Sequence, residues 1–398
     1  MSSQVLGGVG VASGLAVAAL MAAEISGRDD LSGLANTSQV LGGALMTIPV
    51  AALMAARGRR AGLVAAYLVG TVGAGLAITA AVLGSFWLLL LGTALFGASS
   101  TANSQSRYAA VDLAPPDRRG RHLSLVVWAT TIGSVLGPNI LGPGQALASR
   151  LGLPPLAGAW LFSAGGFLLA SLALTILLRP DPLVTARALA DHGSPSGPVV
   201  RQRGSIGHGL RTILRSPRIL LGTLTVTTGH VVMVAVMVMT PIHMAHGHAE
   251  VEVIGFIISM HILGMYGLSP VAGYLTDRWG ATPVILIGAM ILLTACVLAA
   301  TSRSGWSAGL LAGLFLLGLG WSCTMVAGSG VIAGGAAVED RASVQGASDL
   351  TMGLCAAAAG ALAGVVVQHL GYDWLGLFGA IAALALGIYA LAASHHAS

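Results

Sequence analysis

Lysine is missing from this 398-residue chain and charge of either sign is scarce: 19 basic residues, all of them arginine, face 14 acidic ones. Charged residues make up 8% of the chain against 55% apolar ones, with a mean hydropathy of +0.85. That balance excludes an ordinary soluble domain, which carries about 25% charged residues. Three cysteines (Cys296, Cys323 and Cys355) stand too far apart for a disulfide framework or a CxxC zinc pattern. Aromatics reach only 5%, and no basic–aromatic stripe is present to hold nucleic acid. Ser-His-Asp, Walker, HExxH and GxGxxG constellations in a solvated setting are also absent, so no enzyme is expected.

Long apolar runs fill the space instead. Twelve can be drawn between residues 4 and 393, each near the 20 residues that cross about 30 Å of hydrocarbon. Span 5 is expected at 122–147, span 7 at 219–243 and span 8 at 252–274. The first run starts almost at Met1 without a basic segment ahead of it, and reads as a retained helix. The fold class expected is an all-α membrane protein with twelve transmembrane helices in two six-helix halves. Residues 1–178 form the first half, 179–218 a cytoplasmic linker loop and 219–398 the second half. That linker holds seven arginines and the run Gly193-Ser194-Pro195-Ser196-Gly197-Pro198. Its end, Ile206, Leu210, Ile213 and Leu214 with Arg211, Arg215 and Arg218, is expected to form a short helix on the inner membrane surface. Arg57, Arg59, Arg60, Arg118, Arg119, Arg121, Arg278 and Arg341 fall on the same side as the linker, against Arg28, Arg150 and Arg303 on the other. This bias puts both termini in the cytoplasm of a bacterial inner membrane.

The halves echo each other. Leu53–Arg60 aligns with the stretch beginning Leu275 at an offset of 222, as parallel repeats of a transporter would. In the second half, Gly273-Tyr274-Leu275-Thr276-Asp277-Arg278-Trp279-Gly280 resembles the G-x-L-x-D-R-x-G loop of the major facilitator superfamily. Gly133-Ser134-Val135-Leu136-Gly137-Pro138 resembles its G-x-x-x-G-P motif. The first-half loop departs from the pattern, with Ala51 for the glycine and Ala55 for the acidic residue.

Residues 230–265 hold six of the 13 methionines and five of the 11 histidines. Met233 and Met237 share one helical face by i, i+4 spacing, as do His261 and Met265. Thioether with imidazole suits Cu(I), and a histidine deep in a span is functional by default. Counting from the outer ends of spans 7 and 8 places Met233 and His261 at one depth, roughly 13–15 Å down. A short loop joins the two spans, which are therefore expected to be neighbours. His230 lies on the Met233 face as a relay. His243, Met244, His246 and His248 at the outer turn either collect metal or are simply solvated. Cys323 with Met325, and Met352 with Cys355, are further soft donors for which packing is the plainer role. Arg107 is expected to pair with Asp112, or else to face the cavity.

The Met-x3-Met and His-x3-Met pairs resemble the paired motifs of CcoA-like copper importers within the superfamily. That resemblance implies import of copper as transported substrate, supplying assembly of cbb3-type cytochrome c oxidase, with a cytosolic copper chaperone as acceptor. The expected partners are then copper, the chaperone and the lipid bilayer, with the chain a monomer and no nucleic acid bound. The alternative is a proton-coupled efflux carrier for a small organic compound, suggested by Gly133, Gly137 and Pro138.

Overall fold

A computed structural model describes residues 1–28, 31–192 and 205–395. The run Gly193–Pro198, with Arg201 and Arg203, lies outside them. Among the described residues there are sixteen α-helices and no strand. The apolar composition explains this: a chain in hydrocarbon must satisfy every N–H and C=O internally. Eleven helices are long and apolar enough to cross a membrane, or twelve if one bent pair is a single span.

The first helices are α1 (Ser2–Ser26), α2 (Gly33–Arg57), α3 (Arg59–Leu83) and α4 (Phe86–Ala109). The bent pair is α5 (Arg119–Asn139) and α6 (Leu141–Arg150), which meet at 57°. The span expected at 122–147 is therefore not one straight helix but a pair bent by 57°. Pro143 has no N–H to offer the carbonyl of Asn139, and its ring crowds that carbonyl, so the first helix ends there. After α7 (Ala157–Leu177) the linker contains α8 (Pro182–His192), which was not expected, and α9 (Ile206–Arg215), the short helix that was. Asp181 starts α8, its carboxylate accepting from the N–H groups of Leu183 (3.0 Å) and Val184 (3.1 Å).

Next come α10 (Pro217–His246) and α11 (Val251–Ile262), a π-helical turn at Leu263–Gly267, then α12 (Ser269–Trp279) and α13 (Ala281–Ala300). The chain closes with α14 (Ala308–Gly335), α15 (Arg341–His369) and α16 (Tyr372–His395). Serine caps recur: Ser85, Ser216 and Ser307 accept from the N–H groups of Leu88, Ile219 and Leu310.

The described chain forms two compact units, neither a continuous half of the sequence. One comprises residues 1–113, 129–210 and 337–353; the other, 114–128, 211–336 and 354–398. In the first unit Phe96, Trp160, Phe167 and Tyr67 build an aromatic core, Phe96 standing edge-on to Trp160 at 5.0 Å. Gly133 and Gly137 let α5 lie against α1, because a methyl group at either would overlap Gly8 or Ala12. In the second unit α14 is the most buried span and packs on α10, α11, α12 and α13.

Candidate functional site

The second unit gathers its polar side chains around α14. Gly264 and Gly318 bring the π-helical turn against α14: a methyl at Gly264 would overlap the Phe315 carbonyl oxygen, and one at Gly318 that of His261. This contact fixes His261, which is 2% exposed, with Nδ1 donating to the Leu314 carbonyl at 2.8 Å. A carbonyl only accepts, so the hydrogen of the neutral ring sits on Nδ1 and Nε2 keeps a bare lone pair. Nε2 is buried and has no protein partner. Gly264→Val is expected to prise the turn from α14 and destabilise the protein by about 1–3 kcal/mol, measurable as earlier thermal unfolding in detergent.

Below His261 lies an aromatic trio. The Trp321 indole Nε1–H donates to His230 Nδ1 at 3.0 Å, their rings 6.2 Å apart. Tyr266 stands edge-on to Trp321 at 5.5 Å and 80°. The rings come from three elements, α10, the π-helical turn and α14, so their meeting cannot be read from local spacing. On the same helices the hydroxyls of Thr223 and Thr227 (α10) and Ser322 (α14) are buried without a protein hydrogen-bond partner. Bare acceptors and hydroxyls beside aromatic faces suit a flat solute with polar edges.

The expected metal ligands are distributed around the same helix. Met233 and Met265 are 8% and 6% exposed, and Met237 is half-buried. On α10, Gly222 meets Gly328 and Gly229 meets Thr324, an antiparallel register that carries Met233 to the level of Gly318. The backbone of His261 and Met265 meets α14 at Gly318 too. Spans 7 and 8 are nevertheless not the close neighbours expected from their short connection. Each packs extensively on α14 and at most marginally on the other; Gly222 and Gly229 of α10 and Gly264 of the π-helical turn all face α14 and permit that close approach. Among the described residues no group of three or more His, Cys, Asp or Glu could hold a metal ion.

His243 stacks on Tyr372 at 4.0 Å, Met244 is fully buried, and His246 and His248 are exposed. Cys323, Met325 and Met352 are buried, while Cys355 is exposed.

In the first unit the structure holds a buried charge layer that sequence reasoning missed. Arg59 opens α3 with its side chain fully buried and grips Asp112, Nε to Oδ2 at 2.7 Å and Nη2 to Oδ1 at 3.3 Å. It also donates to Gln345 and, at 3.5 Å, to Gln105. Gln105 and Arg107 donate to the two oxygens of Asp349 at 2.8 and 2.6 Å. The expected Arg107–Asp112 pairing is thus wrong. Asp112 lies beyond the end of α4, where the turn carries it back to the start of α3, while Arg107 points to α15. Gln345 and Asp349, one turn apart within an expected span, were the available signal.

The second-half loop motif works as a helix cap. Asp277 accepts from the N–H groups of Gly120 (2.7 Å) and Arg121 (3.0 Å) at the positive end of α5. Gly273 leaves room for Ser124, Arg278 reaches the Tyr274 hydroxyl at 2.7 Å, and Gly280 adopts φ 87°, which favours glycine. In the first-half copy, where Ala55 replaces the acid, α8 supplies the contacts. The Asp181 carboxylate accepts from the Arg60 N–H at 2.7 Å, and Arg187 donates to the carbonyls of Ala55 (2.8 Å) and Glu339 (3.3 Å).

A multi-pass helical protein with paired loop motifs defines a membrane carrier, and the comparisons agree. The sequence profile described as Major Facilitator Superfamily matches residues 2–249 and 230–397, and the chain belongs to that family. It is 37% identical over 384 residues to the uncharacterized MFS-type transporter YdeG of Bacillus subtilis (strain 168), covering 96% of this chain and 88% of that one. It is 29% identical over 342 residues to the riboflavin transporter RfnT of Brucella anthropi, covering 84% and 80%. The crystal structure of the E. coli fucose:proton symporter FucP superposes with a TM-score of 0.72 at 14% identity, covering 98% and 97%. This protein is therefore a secondary transporter of the superfamily, not an enzyme.

Proposed function

We propose that the chain carries a small, flat, nitrogen-containing organic solute across the membrane by alternating access. The observation that carries this reading is the Trp321–Tyr266–His230 trio with the bare His261 Nε2 and unpartnered hydroxyls of Thr227 and Ser322 on the same helices. The likeness to a protein named as a riboflavin transporter supports the same solute class. Asp349, buried in α15 and held by Arg107 and Gln105, supplies the intramembrane carboxylate that proton coupling would use. The arginine bias supports a bacterial inner membrane with both termini in the cytoplasm.

A second reading keeps copper as the transported substrate, imported for cbb3-type oxidase assembly and handed to a cytosolic chaperone. It is favoured by His261 Nε2, an unpartnered imidazole nitrogen one turn from Met265 and level with Met233.

Proteoliposomes holding only this protein separate the two. Radiolabelled riboflavin and copper would be offered in parallel to wild type and to the Met233→Ile/Met237→Ile double variant. Isoleucine keeps the bulk and removes the sulfur, at a cost usually below about 1.5 kcal/mol for near-isosteric swaps. The first reading expects riboflavin accumulation, changed less than about two-fold by the variant and with no copper uptake. Accumulation of copper alone, lost at least about ten-fold in the variant, would replace it with the second.

A further inference from the structure

A groove of about 290 Å³ opens in the first unit, lined by Leu53, Arg57, Arg60, Ala61, Val64, Ala65, Leu68 and Thr175. Its two ends differ in chemistry. Arg57 closes α2 and Arg60 is the second residue of α3, so both guanidinium groups gather at the turn between those helices. From there Ala61, Val64, Ala65 and Leu68 follow at i, i+3, i+4 and i+7, a single apolar stripe on α3. The stripe is roughly 10 Å long. Leu68 is 43% exposed. Thr175 of α7 forms the far wall, and the Arg179 Nε donates to its carbonyl at 2.9 Å, bringing a third guanidinium to the same end.

Cation at one end and hydrocarbon along the rest is the pattern of an amphiphile lying lengthwise. The acidic group closest to the basic end is Asp181, but its carboxylate is taken up by three backbone N–H groups, those of Arg60, Leu183 and Val184. Among the described residues the side chains of Arg57 and Arg60 have no ion-pair or hydrogen-bond partner. Three guanidinium groups against the one carboxylate of Asp181 leave this end net positive beside a bilayer, and that attracts an anionic headgroup.

We propose that this groove binds an anionic glycerophospholipid, its phosphate between Arg57 and Arg60 and one acyl chain along the α3 stripe. Aliphatic bulk then covers the exposed Leu68. The site is separate from the trio around α14 and does not depend on which solute is carried.

Native mass spectrometry of the purified full-length chain from mixed phosphatidylglycerol and phosphatidylcholine micelles tests it. Wild type should retain phosphatidylglycerol preferentially. Arg57→Gln/Arg60→Gln should lose about thirty-fold of that preference, taking about 1 kcal/mol per arginine near the surface. Leu68→Trp, which keeps both charges and fills the stripe, should lower retention of either lipid. Inorganic phosphate at millimolar concentration should displace nothing, because the acyl chain contributes to binding. Equal retention by the double charge variant, displacement by phosphate alone, or unchanged binding in Leu68→Trp would each overturn the proposal. A thermal-unfolding midpoint within a few degrees of wild type identifies folded variants.

Discussion

Trp321→Ala is expected to weaken uptake of a flat heteroaromatic solute about thirty-fold, while Trp321→Phe weakens it only about five-fold. Stacking on an aromatic side chain is worth about 1–3 kcal/mol, and 2 kcal/mol corresponds to about thirty-fold in affinity. Phenylalanine keeps the face that Tyr266 already meets edge-on, but forfeits the indole N–H held by His230. That single neutral hydrogen bond is worth about 1 kcal/mol, so the phenylalanine variant should fall about five-fold. Alanine also empties a large buried volume, at a cost to stability of about 3–5 kcal/mol. Rates must therefore be normalised to folded protein, by fluorescence-detected chromatography of the same preparation. Wild-type uptake per folded molecule in the alanine variant would remove the trio from the transport site.

The second large effect falls on stability. Arg59→Met leaves the Asp112 carboxylate buried with only Arg341 nearby, at 3.8 Å, and should cost about 3–5 kcal/mol. Both side chains of the Arg59–Asp112 pair are fully buried, so screening by solvent does little to soften the loss. The double change Arg59→Met/Asp112→Leu removes both charges and should recover most of the stability, since replacing a buried pair by apolar residues is commonly near neutral. Thermal unfolding in detergent reads both. A single variant as stable as wild type would mean that Asp112 is satisfied without Arg59.

The legible parts of this protein were those written in consecutive residues. The apolar runs dictated the spans because hydrocarbon allows few alternatives, and the Gly273–Gly280 loop was visible because its cap needs residues close in sequence. The bend in span 5 was not foreseen because hydropathy does not register that Pro143 breaks a backbone ladder. The start of the linker was read as loop, although Asp181 and Pro182 are a helix start. The site was harder. His261 stood out as a histidine deep in a span, and the methionine pairs as spacings, but Trp321 and Tyr266 lie 55 residues apart with nothing local to join them. Their meeting depends on Gly264 and Gly318, two glycines among 56. Arg59 was assigned to a loop and Arg107 to the wrong aspartate, because pairing partners in a bundle are set by which helices pack.

The hydrogen bond from His261 to the Leu314 carbonyl carries a consequence for selectivity. With Nδ1 committed, the neutral imidazole can only accept at Nε2, so it welcomes a solute edge bearing N–H or O–H and repels a lone pair. Capping that edge with a methyl group should therefore turn a good cargo into a poor one while leaving its rings and size almost unchanged. Under the proposed function, one main-chain carbonyl on a neighbouring helix would set which face of a ligand the carrier accepts.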